Sequence, residues 1–263
     1  MLETIKYVLC GTGFTFLLTA LGASSVLFFK SDIKPHMKRC FLGFAAGVML
    51  AASVFSLIIP AMNAARQNGV PEVLPVVIGF FAGWTFLVGM DILLKKFHPA
   101  MKKHGETAAG LKQNTMLVFA ITLHNFPEGL AVGLAFALAA KQTGQAALAA
   151  AVTLALGIGI QNFPEGAAIS LPLRNKGMPR GRAFLIGALS GLAEPAAGIS
   201  AALMIGTVTA ALPWALSFAA GAMVYVAADE LIPEACCDKN SRWGTTGTML
   251  GFLIMMLLDI ALG

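Results

Sequence analysis

Eight stretches of this chain are each long and apolar enough to cross a lipid bilayer, and that property excludes nearly every soluble fold. They run approximately over residues 5–29, 40–63, 73–94, 115–140, 146–171, 183–211, 213–236 and 244–262. A hydrocarbon core about 30 Å thick takes roughly 20 helical residues. Lipid offers the backbone no hydrogen-bond partner, so each stretch is expected to be a helix. A mean hydropathy of +0.79, with 57% hydrophobic letters and only 12% charged residues, leaves too few charges to coat a soluble domain of this size. The expected fold is all-α, one polytopic transmembrane domain of eight helices spanning residues 1–263. The first stretch lacks a small-residue cleavage site ahead of a polar segment, so it is expected to be a retained helix and not a removable signal peptide.

A net charge of +5 does not point to nucleic acid, because the basic residues collect in short loops. Lys30, Lys34, Lys38 and Arg39 precede the second stretch; Lys95, Lys96, Lys102, Lys103 and Lys112 the fourth; Arg174, Lys176, Arg180 and Arg182 the sixth; Lys239 and Arg242 the eighth. That is fifteen of the eighteen Lys and Arg on one side, which places those loops in the cytoplasm of a cell membrane. Both termini are then expected on the extracytoplasmic side. Cys10, Cys40, Cys236 and Cys237 show no C-x-x-C spacing and indicate neither a disulfide framework nor a zinc ribbon.

Inside the apolar stretches one hexapeptide is written twice, as HNFPEG at 124–129 and QNFPEG at 161–166. With this topology His124 lies nine residues from the inner end of the fourth stretch and Gln161 ten from that of the fifth. At 1.5 Å per residue both sit roughly 14 Å deep, near the bilayer centre. Glu194 in the sixth stretch and Met49 in the second reach the same level. His124 and Glu128 are four apart, as are Gln161 and Glu165, so each pair shares one helical face, with Asn125 and Asn162 on the adjoining flank. Pro127 and Pro164 cannot donate to the carbonyls of Leu123 and Ile160. Helices four and five are therefore expected to be kinked, as helices lining a substrate site in a membrane commonly are.

Burial of acids decides what such a layer is for. A carboxylate at the centre of a spanning helix costs roughly 2.5 to 3.5 kcal/mol on insertion scales, so Glu128, Glu165 and Glu194 left unpaired would cost on the order of 8 to 10. No Lys or Arg lies at their depth in the sequence, so protons, water or a metal cation must offset them. Imidazole, carboxylate and amide groups at one level suit a borderline divalent ion such as Zn²⁺, or Fe²⁺, Mn²⁺ and Cd²⁺. Met49 by itself would be core filling, and a lone buried histidine is readily a packing hydrogen-bonder. Depth and register with Glu128 favour the metal reading. Asp91 and Asp259 are placed near the interface without a role, and the Lys-containing loop over 95–112 is read as solvated.

HNFPEG, QNFPEG, GLAEP in the sixth stretch and DELIPE at the inner end of the seventh together resemble the ZIP divalent-metal transporters, particularly the bacterial, GufA-like branch. The resemblance covers essentially the whole chain. It implies a binuclear centre, with Met49, His124, Glu128, Gln161 and Glu165 on one ion and Asn125, Glu128, Asn162, Glu165 and Glu194 on the other. It further implies Asp229 and Glu230 on the cytoplasmic exit, Ser56 on the outer approach, a homodimer, and helices one, four, five and six moving as a unit. The chain departs from many relatives in carrying Gln161 in place of histidine, and from some in carrying Asn162 in place of aspartate and Asp229 in place of histidine. Only His98 and His104 occupy the loop that is histidine-rich elsewhere.

Two other classes were weighed against this reading. An intramembrane metalloprotease would need H-E-x-x-H, which is missing from a chain whose four histidines are His36, His98, His104 and His124; no enzymatic activity is expected. A proton-coupled carrier of small organic solutes would also use intramembrane acids and is the better rival.

Overall fold

The structure is a computed structural model describing residues 2–28, 34–101, 125–141, 145–175, 177–207, 209–238 and 241–262. Every regular element among them is helical. In chain order they are α1 (Leu2–Phe28), α2 (Pro35–Gln67), α3 (Val73–Leu93, continuing to Met101), α4 (Asn125–Ala139), α5 (Gln145–Asn175), α6 (Arg180–Leu203), α7 (Leu212–Ala235) and α8 (Trp243–Leu262). Seven of these are long and apolar enough to cross a membrane; α4, among the described residues, is shorter. The expected first part of the fourth span, residues 115–124, lies outside the described residues.

Four spans depart from the uniform helices expected; in α1 a turn at Ser24 separates Leu2–Ala23 from Ser25–Phe28. α6 is broken: Arg180–Ser190 ends at a turn through Gly191 and Leu192, and a second helix starts at Ala193. Pro195 has no N–H for the Gly191 carbonyl, which accepts instead from the Glu194 N–H at 3.1 Å and tightens the turn. In α2 the segment Ser53–Ile58 is π-helical, with the Ile59 N–H reaching back to the Val54 carbonyl. Pro60 follows, and it cannot serve the Ser56 carbonyl. α7 repeats the device, with a π-helical Ala227–Leu231, the Ile232 N–H on the Ala227 carbonyl, and Pro233 next. α5, by contrast, runs as one helix through Pro164 and Pro172.

Packing divides the helices into two blocks. α1 lies along α5 and also against α6. Gly129 and Gly133 of α4 meet the backbone of Glu194 and Gly198 in α6, and Gly11 of α1 meets Phe136 of α4. In the other block α2 lies along α8 and α3 along α7. Gly43 and Gly47 of α2 face the backbone at Gly244 and Thr248, while Gly247 and Gly251 of α8 face Cys40 and Phe44. Such seams of small residues let helix backbones touch, which is how helices associate when lipid is as apolar as their side chains. Burial ranks the second block: 61% of the spans of α2 and α7 is buried against 22% and 17% for α3 and α8. α2 packs against α5 of the other block, and α8 touches α5 as well. Across that boundary Gly157 of α5 meets the side chains of Met255 of α8 and Val48 of α2. Lys38 and Arg39 at the start of α2 pair with Glu234 at 2.6 Å and Asp238 at 2.7 Å, tying the basic end of α2 to the end of α7.

Candidate metal centre

The two hexapeptides meet inside the first block. Glu128 and Gln161 are fully buried, and the Gln161 amide Nε2 donates to Glu128 Oε1 at 2.5 Å, joining α4 to α5. Glu165 and Glu194 are the charged neighbours of Glu128; Glu194 is fully buried and Glu165 half-buried. Asn125 Nδ2 donates to the Ser190 carbonyl at 3.2 Å and Asn162 Nδ2 to the Thr15 carbonyl at 3.4 Å. Each of these groups turns one atom to its own protein and leaves another unpartnered. Asn125 Oδ1, Glu128 Oε2, Gln161 Oε1, Asn162 Oδ1 and Glu194 Oε2 are buried with no hydrogen-bond partner among the described residues. All five are acceptors, and a buried acceptor left unsatisfied costs about 1–3 kcal/mol. What they lack is a donor or a cation. Among the described residues no three of His, Cys, Asp and Glu converge closely enough to hold an ion by themselves, so a cage here draws on the amide oxygens.

Local sequence explains how the groups are brought so close. A methyl group on Gly129 would collide with the Glu194 backbone, and one on Gly166 with the Thr19 carbonyl. The glycine closing each hexapeptide thus seats its helix on a neighbour, α4 on α6 and α5 on α1, one residue after the glutamate. The break in α6 places Glu194 in the first turn of the helix that begins at Ala193. Backbone N–H groups gather there and favour a negative side chain, which partly offsets the burial. The Glu194 Oε1 accepts from Thr19 Oγ1 at 3.0 Å. His124 lies outside the described residues. Met49 is fully buried in α2, in the same core cluster as Leu130 and Ile158.

Comparison with known proteins gives this arrangement a family. A family description reading "ZIP Zinc transporter" matches residues 98–259. The chain is 37% identical to the human "Zinc transporter ZIP11", covering 99% of this chain and 98% of that one. It is 40% identical to "Zinc transporter GufA" of Myxococcus xanthus, over 93% and 94% of the two chains. With "Zinc transporter ZIPB" of Bordetella bronchiseptica it shares 38% identity, over 98% and 82%. The chain belongs to the ZIP zinc transporter family.

Two cavities of this ZIP protein involve residues expected on the transport path. One, of about 500 Å³, opens between α2 and α5 and is lined by Lys34, Lys38, Phe41, Leu42, Pro164 and Glu165 among others. Glu165, half-buried, is thus the expected ligand that lines it. The second, of about 370 Å³, is lined by Phe55, Ser56, Ala147 and Asp259 among others. Ser56 Oγ donates to Asp259 Oδ1 at 3.1 Å. Asp259 had been assigned no role from sequence; its pairing with Ser56 could have been suspected only by folding α8 onto α2. Asp229 is exposed and accepts from Tyr225 Oη at 3.2 Å, while Glu230 is half-buried. Ser56, Asp229 and Glu230 all sit on the two π-helical segments, a distortion frequent at functional sites. They lie apart from the cage.

Proposed function

We propose that this protein carries divalent transition-metal cations, zinc foremost, through the membrane toward the cytoplasm by alternating access. The observation that carries the reading is the set of five buried, unpartnered oxygen acceptors contributed by α4, α5 and α6. Organic solutes would need donors as well as acceptors, and the relatives named zinc transporters lend that rival no support. Carboxylate and amide oxygens, with the imidazole of His124 and the thioether of Met49, suit borderline ions, so Cd²⁺, Fe²⁺ and Mn²⁺ are further substrates of this reading.

In full, the reading has eight spans with both termini extracytoplasmic, residues 115–124 completing the fourth span, and kinks at Pro127 and Pro164 that open the fourth and fifth helices. Met49, His124, Glu128, Gln161 and Glu165 hold one ion; Asn125, Glu128, Asn162, Glu165 and Glu194 hold its neighbour. Ser56 and Asp259 line the outer approach, and Asp229 and Glu230 the exit. A membrane potential of 100 mV, negative inside, favours inward movement of two charges by about 4.6 kcal/mol, so no chemical energy source is required. The glycine seams within each block support movement of α1, α4, α5 and α6 as one body against the other four. A homodimer in the plane of the membrane belongs to the same reading.

Zinc flux into proteoliposomes tests it. Glu128→Ala is expected to abolish uptake while the purified protein keeps its helical circular dichroism. Uptake equal to that of the unmodified chain would remove the site assignment.

A further inference from the structure

We propose that Thr19 of α1 is a positioning residue of the metal centre: its hydroxyl holds one oxygen of Glu194 so that the other is presented to the ion. This rests on the metal-carrier reading and deepens it, because no ligand was expected from α1. Thr19 Oγ1 has two acceptors in reach, the Thr15 carbonyl at 3.3 Å and Glu194 Oε1 at 3.0 Å. Its single proton goes to the nearer and charged one, since a hydrogen bond to a carboxylate is about twice as strong as one between neutral groups.

Three helices fix the hydroxyl there. The Thr19 carbonyl occupies the space a methyl on Gly166 of α5 would need, and its Cβ would lie 3.0 Å from a methyl on Gly191 of α6. Threonine in a helix is largely limited to two χ1 rotamers, and the one present here puts the hydroxyl within reach of both acceptors. One turn earlier, the Thr15 carbonyl takes the Asn162 amide at 3.4 Å, leaving Asn162 Oδ1 as that side chain's unpartnered atom. A single stretch of α1 thereby orients two of the five cage oxygens, Glu194 Oε2 and Asn162 Oδ1. Thr19 is 1% exposed and Glu194 0%, so bulk water is no substitute for the hydroxyl.

The test uses the full-length protein in lipid nanodiscs and measures Cd²⁺ and Zn²⁺ binding calorimetrically, alongside the melting temperature without metal. Thr19→Val keeps the shape and removes the donor; Thr19→Ser keeps the donor; Thr19→Ala is a second donor-less variant should the valine fail to fold. Loss of an outer partner of a metal ligand typically weakens binding 10- to 100-fold, so Thr19→Val is expected to lose about tenfold, with Thr19→Ser near the unmodified chain. In a Glu194→Ala background Thr19→Val is expected to add no further loss, because its effect runs through that carboxylate. Unchanged affinity in both donor-less variants, an equal loss in Thr19→Ser, or a further tenfold loss on top of Glu194→Ala would each overturn the proposal. Undiminished binding in Glu128→Ala would instead overturn the carrier reading. Loss of binding in Glu128→Ala beside silent Thr19 variants would remove this inference alone.

Discussion

At the scale of single residues, softness and hardness are divided between helices. The cage oxygens come from α4, α5 and α6, while the sulfur of Met49 belongs to α2 and is fully buried. Exchanging that sulfur for carbon at nearly constant volume disturbs packing by less than about 1.5 kcal/mol, so Met49→Leu isolates its chemistry. Under the carrier reading it is expected to lower cadmium uptake relative to manganese, and competitive uptake from a mixture of metals at fixed free concentrations measures the ratio. An unchanged ratio would place the methionine among the core residues only. Glu128 and Glu165 were legible because charge in an apolar stretch is conspicuous and a spacing of four fixes the face. Thr19 was not. Threonine in a spanning helix satisfies itself on a carbonyl one turn back, as Thr12 does on Val8 at 2.8 Å, so nothing in the letters separates a self-satisfied hydroxyl from one reaching a neighbour.

At the scale of elements, glycine placement sets which helices can touch. Gly129 and Gly166 close the hexapeptides, and neither has room for a methyl group; Gly89, in α3, has open space around it. Overpacking of a tight contact costs typically 1–3 kcal/mol, whereas alanine gains up to about 1 kcal/mol over glycine in a helix with room. Gly129→Ala is therefore expected to lower the melting temperature of the purified protein and to reduce zinc uptake, though it carries no ligand. Gly89→Ala is expected to raise the melting temperature slightly or leave it alone, and thermal melts of both in one detergent make the comparison. Helix positions were readable from hydropathy because lipid imposes a length. The break before Glu194 was harder, since Gly191 and Pro195 lie in a run that is apolar but for Glu194 itself and its flanking serines, and hydropathy is blind to a missing N–H. Pro60 and Pro233 were visible in the same way, and the π-turns ahead of them were not foreseen, because a proline specifies that a bond is lost and not how the helix absorbs the loss.

For the whole molecule, the carrier reading requires the two blocks of helices to slide past each other at their mutual boundary. The Val48 Cγ1 of α2 lies 3.6 Å from where a Cβ on Gly157 of α5 would stand, so two cysteines here face each other across the boundary; a disulfide between them requires the Met255 sulfur, which crowds that point, to swing aside. With the four native cysteines replaced, Val48→Cys with Gly157→Cys is expected to stop zinc uptake on oxidation and to recover it on reduction. Uptake that persists in the oxidised, fully linked protein would contradict movement of one block past the other. The division itself could be anticipated only by resemblance, since the glycines that define it are spread over all eight stretches and their partners appear only on folding. The wide turns at Ser53–Ile58 and Ala227–Leu231 bear on the same question. Each is an inserted residue that in an uninterrupted helix could migrate along the axis and rotate everything beyond it by about 100°. Pro60 and Pro233 stand one residue past the widened stretch and pin the insertion where it is. The azimuths of α2 and α7 beyond those two points are thereby held, so in the carrier reading these helices can tilt or slide but not turn about their own axes.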